Sequence, residues 1–141
     1  MRMHASYMVL LGALAGGCLP AQQPKSRHYD PLIQVLQKVP EKARAKNNPF
    51  QNDPEAAAAG GKLFEQHCAE CHGQMAEGGK RGPSLEAEEL QHARPGEIFW
   101  ILTNGIVRRG MPSWSKLPEP QRWQIIMFLQ SLNGPEPRSH S

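Results

Sequence analysis

The five residues Cys68-Ala69-Glu70-Cys71-His72 constrain this chain more than any other stretch. Two thiols and an imidazole at this C-x-x-C-H spacing are typical of covalent c-type haem attachment. Each thiol can add to one vinyl group of the same porphyrin, and the histidine that follows is then held next to the ring as an axial ligand of the iron. We therefore expect one covalent haem c, attached through Cys68 and Cys71, with His72 on its iron.

Three other uses of a cysteine pair agree less well with the sequence. A structural zinc site needs four ligands, and the chain has no second cysteine pair, since Cys18 is its only other cysteine. A thioredoxin-like redox pair requires a βαβ setting, for which the sequence shows no pattern. A structural disulfide would leave His72 without a role.

The amino terminus has the pattern of an export signal. An apolar run from Tyr7 to Ala15 has the length of a signal-peptide core rather than of a membrane span. The Gly16-Gly17-Cys18 sequence that follows resembles a bacterial lipoprotein signal, with Ala15 where such signals usually carry Leu. We predict that residues 1–18 are a signal peptide with a lipobox and that Cys18 is lipidated. The exported protein would then lie on the periplasmic side, anchored to the membrane. Signal cleavage near Ala15 or Ala21 without lipidation is the alternative.

Residues 19–52 are punctuated by prolines and are predicted to form a solvated linker or tether. The alternative is that Leu32, Val35 and Leu36 dock on the domain or on a partner. Charge is unevenly distributed: residues 1–52 carry a net charge of +5, whereas residues 53–141 carry −2. Because the folded part has no basic excess, no nucleic-acid partner is predicted.

Helix signals define a domain over residues 53–133. Asp53-Pro54-Glu55 combines an N-cap, a proline at the first helical position and an acid in the first turn, so it predicts a helix that runs to about His67. A short helical turn is expected within residues 86–92, and further helices over 95–104 and 119–132. Residues 134–141 are predicted to be a disordered tail.

Several residues of this domain together resemble the class I c-type cytochromes, in particular the bacterial monohaem group with a Gly-Met-Pro ligand loop. The matching residues are Gly60, Phe64, the C-x-x-C-H motif, Gly82-Pro83-Ser84-Leu85, Gly110-Met111-Pro112, Trp123 and Phe128. The resemblance implies an all-α cytochrome c fold, with three to four short helices wrapped around one covalently bound haem. It also implies that the first and last helices cross at Gly60, Phe64 and Phe128.

Two further residues are expected to take part in the axial ligation of the iron: one orients His72, and the other is the sixth ligand. The backbone carbonyl of Pro83 is free to accept a hydrogen bond from the ring N–H of His72, which would orient that ligand. Met111 is predicted as the sixth ligand from its place in the Gly-Met-Pro loop, 39 residues after His72, and from the resemblance. The other candidates for the sixth ligand are Met75, Met127, His67 and His92, and each is less favoured. Met75 is too near His72, and Met127 lies in an apolar helix stripe. His67 directly precedes the first haem cysteine, on the same side as His72, and His92 follows a charged stretch.

These residues predict a one-electron carrier with low-spin, His/Met-ligated iron, not an enzyme. The expected partners are redox proteins that act as donor and acceptor, of the dehydrogenase or terminal oxidase type. The Asn47-Asn48-Pro49-Phe50 sequence resembles that of cytochromes found beside periplasmic dehydrogenases. The alternatives are a haem-binding subunit of a larger membrane oxidoreductase, or an open-site haem enzyme or sensor if Met111 is not a ligand.

Overall fold

The computed structural model describes residues 31–132, so the predicted signal peptide, Cys18 and the tail lie outside the described residues. Within that range the chain forms helices joined by loops, and a single β-bridge pairs Ile106 with Met111. The helices are α1 (Pro31–Gln37), α2 (Glu41–Arg44), α3 (Pro54–His67), α4 (Ala69–His72), α5 (Glu88–Gln91), α6 (Pro95–Asn104), a 3₁₀ turn (Val107–Arg109) and α7 (Glu119–Ser131). The all-α expectation is confirmed, and the three long helices are α3, α6 and α7.

Helix α3 begins where the sequence predicts. The Asp53 carboxylate accepts hydrogen bonds from the backbone N–H groups of Glu55 and Ala56, at 2.9 and 3.1 Å. These bonds satisfy two of the donors that a helix start leaves unpaired. Pro54 occupies the first helical position, where its missing N–H costs nothing.

The largest helix–helix interface joins α3 to α7. Their backbones meet at Gly60, where an added Cβ would lie 1.9 Å from the carbonyl oxygen of Gln124. One turn further along α3, the rings of Phe64 and Phe128 pack with centroids 5.1 Å apart. The crossing implied by the cytochrome resemblance is therefore present, and Gly60 is the residue that permits it.

Helix α6 packs against α7 and completes the core. The ring of Phe99 stacks on Trp123, with centroids 4.0 Å apart and planes 19° from parallel. The start of α6 is capped by Glu97, whose Oε2 accepts a hydrogen bond from the backbone N–H of Arg94 at 2.8 Å. Helix α6 also carries Ile98, Ile101 and Leu102, all of which are buried.

Residues 31–52, the described part of the predicted linker 19–52, favour the docking alternative over a solvated linker. The segment packs on the domain: Val39 is buried, and Leu32, Leu36 and Phe50 contact the hydrophobic core. The side chain of Asn48 also donates a buried hydrogen bond to the carbonyl of Trp123, at 2.9 Å. The prolines separate two short helices instead of keeping the chain extended, and burial of a few apolar side chains holds these helices in place. We call residues 31–52 the strap.

Among the described residues, no helix combines the length and the apolar character needed to cross a membrane.

Candidate haem site

A cavity of about 470 Å³ lies between the C-x-x-C-H segment, α6, α7 and the loop that carries Met111. Its lining includes Cys68, Cys71, His72 and Met111, and most of its remaining wall is apolar. Phe64 contributes from α3, and aliphatic side chains contribute from α6 and α7. A mostly apolar cavity with a few convergent polar groups is the usual form of a cofactor site.

The two thiols lie where α3 ends and α4 begins. Cys68 closes α3 through its backbone N–H, which donates to the carbonyl of Phe64 at 2.8 Å, and Cys71 lies one turn further along in α4. Burial raises the pKa of the Cys68 thiol to about 11, and the nearby Cys71 adds to the effect. A thiol with this raised pKa is protonated at neutral pH, whereas the pKa of reactive redox cysteines is depressed.

His72 is oriented by the backbone of the following loop. Its Nδ1 atom lies 2.9 Å from the carbonyl oxygen of Pro83, so the contact expected between these two residues is present in the structure. The loop approaches the ring closely, because a Cβ added to Gly82 would lie 2.9 Å from the same Nδ1. With Nδ1–H donating to Pro83, the Nε2 atom is left as the acceptor nitrogen of the neutral ring.

The loop that carries Met111 is tied to the end of α6 at several points. Ile106 and Met111 exchange backbone hydrogen bonds of 3.0 and 3.3 Å across the β-bridge. Further along, the N–H of Trp114 donates to the carbonyl of Leu102 at 2.9 Å. The Ser113 hydroxyl also donates to a carbonyl of α6, that of Thr103, at 2.6 Å. These bonds fix the backbone on both sides of Met111.

Gly105 has a role that the sequence does not reveal. It is the C-cap that follows the last residue of α6, and its φ is 70°. In addition, a Cβ at this position would lie 2.7 Å from the Met111 carbonyl oxygen and 2.6 Å from the Pro112 carbonyl carbon. The glycine thus lets the Met111 loop fold back against the helix end. The spacing of Gly105 and Met111 gives no signal of this contact, because it arises only when the loop closes.

The other candidate sixth ligands differ in where the structure places them. Met75 is 65% exposed, and neither it nor Met127 is among the described residues that line the cavity. His92 is exposed and also outside the lining, with its Nδ1 atom 2.8 Å from the carbonyl oxygen of Glu88. His67 does line the cavity, and its ring packs on Trp114 at a centroid distance of 5.4 Å.

Two arginines stand at the edge of the cavity. Arg81 and Arg109 both belong to its lining and are exposed. The Arg81 guanidinium forms an exposed ion pair with Glu70. This pair places opposite charges beside the C-x-x-C-H segment, and its exposure limits what it contributes to stability.

The residues present fit a covalently attached haem. The two thiols of the C-x-x-C pair, the imidazoles of His67 and His72 and the thioether of Met111 all line a single, mostly apolar cavity. Imidazole and thioether are the donor pair of low-spin, electron-transferring haem iron. Within residues 31–132, no group of three or more His, Cys, Asp or Glu side chains is placed to hold a metal ion.

Comparison with known proteins agrees with this chemistry. Residues 55–129 match the family model described as cytochrome c oxidase, cbb3-type, subunit III. The chain is 31% identical over 117 residues to the cbb3-type cytochrome c oxidase subunit CcoP of Rubrivivax gelatinosus, a match that covers 81% of this chain and 36% of that protein. It is 32% identical over 104 residues to the cytochrome bc1 complex cytochrome c subunit of Corynebacterium efficiens, covering 72% of this chain and 34% of that subunit. The chain thus spans about a third of the length of these relatives.

A solved structure supports the same fold. Cytochrome cL from the marine methylotrophic bacterium Methylophaga aminisulfidivorans superposes with a TM-score of 0.53 at 29% identity, covering 60% of this chain and 58% of that one. The match over residues 55–129, the C-x-x-C-H motif and this structural similarity agree with one another. The chain therefore belongs to the family of cbb3-type cytochrome c oxidase subunit III, and its domain is a class I monohaem c-type cytochrome with covalently bound haem c.

Proposed function

We propose that this domain is a one-electron carrier in which His72 and Met111 are the two axial ligands and Cys68 and Cys71 form the thioethers. The observation that carries the proposal is that all four side chains line one cavity. When bound, the haem supplies an iron that alternates between the ferrous and ferric states. The protein supplies the ligands, their orientation and the apolar wall.

On the His72 side, the hydrogen bond to Pro83 does the positioning. The carbonyl acceptor selects the tautomer that carries its proton on Nδ1, so that Nε2 is free to bind metal. It also makes the imidazole a stronger donor and restricts rotation of the ring.

On the opposite side, a thioether ligand accounts for a carrier better than for a catalyst. The soft sulfur of Met111, bound to the iron, would favour the ferrous over the ferric state and so would raise the reduction potential. Iron held by both His72 and Met111 would have no open position for peroxide or a gas. The backbone bonds that fix the Met111 loop support this assignment, because a ligand held on both sides does not leave the iron readily.

Redox proteins are the proposed partners, as donor and acceptor of the dehydrogenase or terminal oxidase type. The relatives that are named as subunits of a cbb3 oxidase and a bc1 complex support a second form of the proposal, in which this chain is a fixed subunit of a membrane oxidoreductase. Arg81 and Arg109 line the cavity and are exposed, Arg108 is exposed next to Arg109, and these charges would suit an acidic partner surface.

Export and lipidation complete the proposal. Cys18, which follows the apolar run Tyr7 to Ala15, would carry the lipid that anchors the protein on the periplasmic side of the membrane. Mass spectrometry of the mature amino terminus tests this directly. A terminus downstream of Cys18 would contradict it.

Replacement of Met111 tests the carrier assignment. The ferric wild type should show the weak near-infrared charge-transfer band of methionine-ligated haem, and the ferrous form should resist carbon monoxide. Met111→Ala should abolish the band, lower the reduction potential and allow carbon monoxide to bind. Met75→Ala is the matched control and should keep the band, because Met75 is exposed and outside the cavity lining. A wild type that lacks the band and binds carbon monoxide readily would favour the open-site enzyme or sensor instead.

A further inference from the structure

The strap lies outside the residues that match the family model, yet it is closely fitted to the domain. Val39 is only 4% exposed. Helix α6 presents Gly96 to the strap backbone, and a Cβ added there would lie 2.1 Å from the carbonyl oxygen of Ala43 and 2.8 Å from that of Lys46. A glycine is therefore needed where the strap crosses α6.

Arg44 clamps the strap to α6. Its Nε donates to the Val39 carbonyl at 2.9 Å and its Nη2 donates to the Leu36 carbonyl at 2.8 Å. Its Nη1 lies 3.5 Å from Oε1 of Glu97, a residue that is 9% exposed. One guanidinium thus ties the end of α1 to the start of α6, and a planar fork with five N–H groups can make these contacts together.

A second attachment holds the far end of the strap. Asn48 is buried, and its amide donates to the Trp123 carbonyl of α7 at 2.9 Å. Its Oδ1 accepts a hydrogen bond from the N–H of Phe50 at 3.0 Å. With Arg44 bound to α6 and Asn48 bound to α7, the strap is fixed at two points.

The amino-terminal end of the strap reaches the haem cavity. Leu32 of α1 belongs to the cavity lining, as does Leu90 of α5, the helix against which α1 packs. Part of the wall is therefore supplied by a side chain from outside the family-matched residues 55–129.

We propose that Leu32, held in place by the Arg44 clamp, helps to set the reduction potential of this cytochrome. Oxidised haem iron carries one more positive charge than the reduced form, so an apolar cover that excludes water disfavours the oxidised form and raises the potential. In this proposal Leu32 forms part of the cavity wall, and Arg44 is a positioning residue that acts by holding Leu32 in place. The inference rests on the proposed placement of the haem in this cavity.

Leu32 is tested by spectroelectrochemical titration of the full-length holoprotein. Leu32→Ala should lower the midpoint potential, because the shorter side chain admits water at the wall. Leu32→Met keeps a similar volume and should retain the wild-type value. Ile33→Ala is the matched control in the same helix, since Ile33 is 39% exposed and is not among the lining residues; its potential should not change.

The clamp is tested without a change of charge. Arg44→Lys keeps the positive charge but cannot reach both strap carbonyls and Glu97 at once, so it should lower the potential in the same direction as Leu32→Ala. Lys42→Ala, at an exposed position of α2, removes a charge from the strap without breaking the clamp and should change the potential less. If Leu32→Ala or Arg44→Lys leaves the potential at the wild-type value, the proposal is wrong.

The near-infrared band of each ferric variant separates this test from the proposed function. Retention of the band with a lowered potential supports the role proposed for the strap, because the axial ligands are then unchanged. Loss of the band in Leu32→Ala would mean that the strap acts through the Met111 loop, and would overturn the role given to the wall. A wild type without the band contradicts Met111 ligation, whereas the comparison of potentials among the variants still decides the role of Leu32.

Discussion

The crossing of α3 and α7 makes a sharp prediction for Gly60→Ala. An added Cβ would lie 1.9 Å from the Gln124 carbonyl oxygen and 2.4 Å from its carbon, whereas ordinary contact begins near 3.4 Å. One backbone must therefore retreat by about 1.5 Å, the difference between the two distances to oxygen. No rotamer change can relieve a contact with a carbonyl group, so the strain falls on the whole helix pair.

The expected size of the effect follows from two opposing terms. Overpacking of this kind costs about 1–3 kcal/mol, and a rigid backbone contact belongs at the upper end of that range. Replacing glycine with alanine inside a helix returns about 1 kcal/mol. We therefore expect Gly60→Ala to destabilise the holoprotein by about 2 kcal/mol, or roughly 8–16 °C in Tm for a domain of this size.

Gly61→Ala is the matched control for this prediction. A Cβ at Gly61 would meet only the side chain of Phe128, at 3.2 Å, and that ring can move. The variant should be as stable as the wild type or up to about 1 kcal/mol more stable. Guanidinium chloride unfolding, followed by far-ultraviolet circular dichroism, measures both variants. Equal stability of Gly60→Ala and Gly61→Ala would refute the close backbone contact.

Two further predictions concern the Met111 loop and the start of α3. Gly105→Ala should weaken or abolish the near-infrared band of the ferric protein, because its Cβ would meet the Met111 carbonyl. A band of wild-type intensity in Gly105→Ala would count against the role given to Gly105. Asp53→Ala should cost about 1 kcal/mol of unfolding free energy, measured by denaturant titration, whereas Asp53→Asn should retain most of the capping; equal losses would show that the cap does not depend on the side-chain oxygen.

The features that could be read from the sequence are those determined by neighbouring residues. Asp53 caps α3 through N–H groups two and three positions away, and Gly105 ends α6 one residue after its last turn. The thiols and His72 lie within five consecutive residues, so they reach the same cavity without any long-range contact. The resemblance to class I cytochromes then supplied the position of Met111.

The strap could not be read in this way, because what holds it in place is distant in sequence. Asn48 and its partner Trp123 are 75 positions apart, and Arg44 meets Glu97 only after α6 has formed. The local composition of residues 31–52, rich in proline and polar groups, is equally compatible with a free linker. The same limitation applies to Gly96, whose need for a missing Cβ comes entirely from the strap backbone.

The interface between α3 and α7 also determines when this domain can fold. Gly60 and Phe64 find their partners only in the final helix of the described chain, at Gln124 and Phe128. Closing so long a loop costs entropy, and the largest helix interface forms only once α7 is present, so we expect no stable partial fold as the chain emerges from its amino terminus. We therefore expect the Cys68 and Cys71 thiols to stay accessible for haem attachment until α7 has been made.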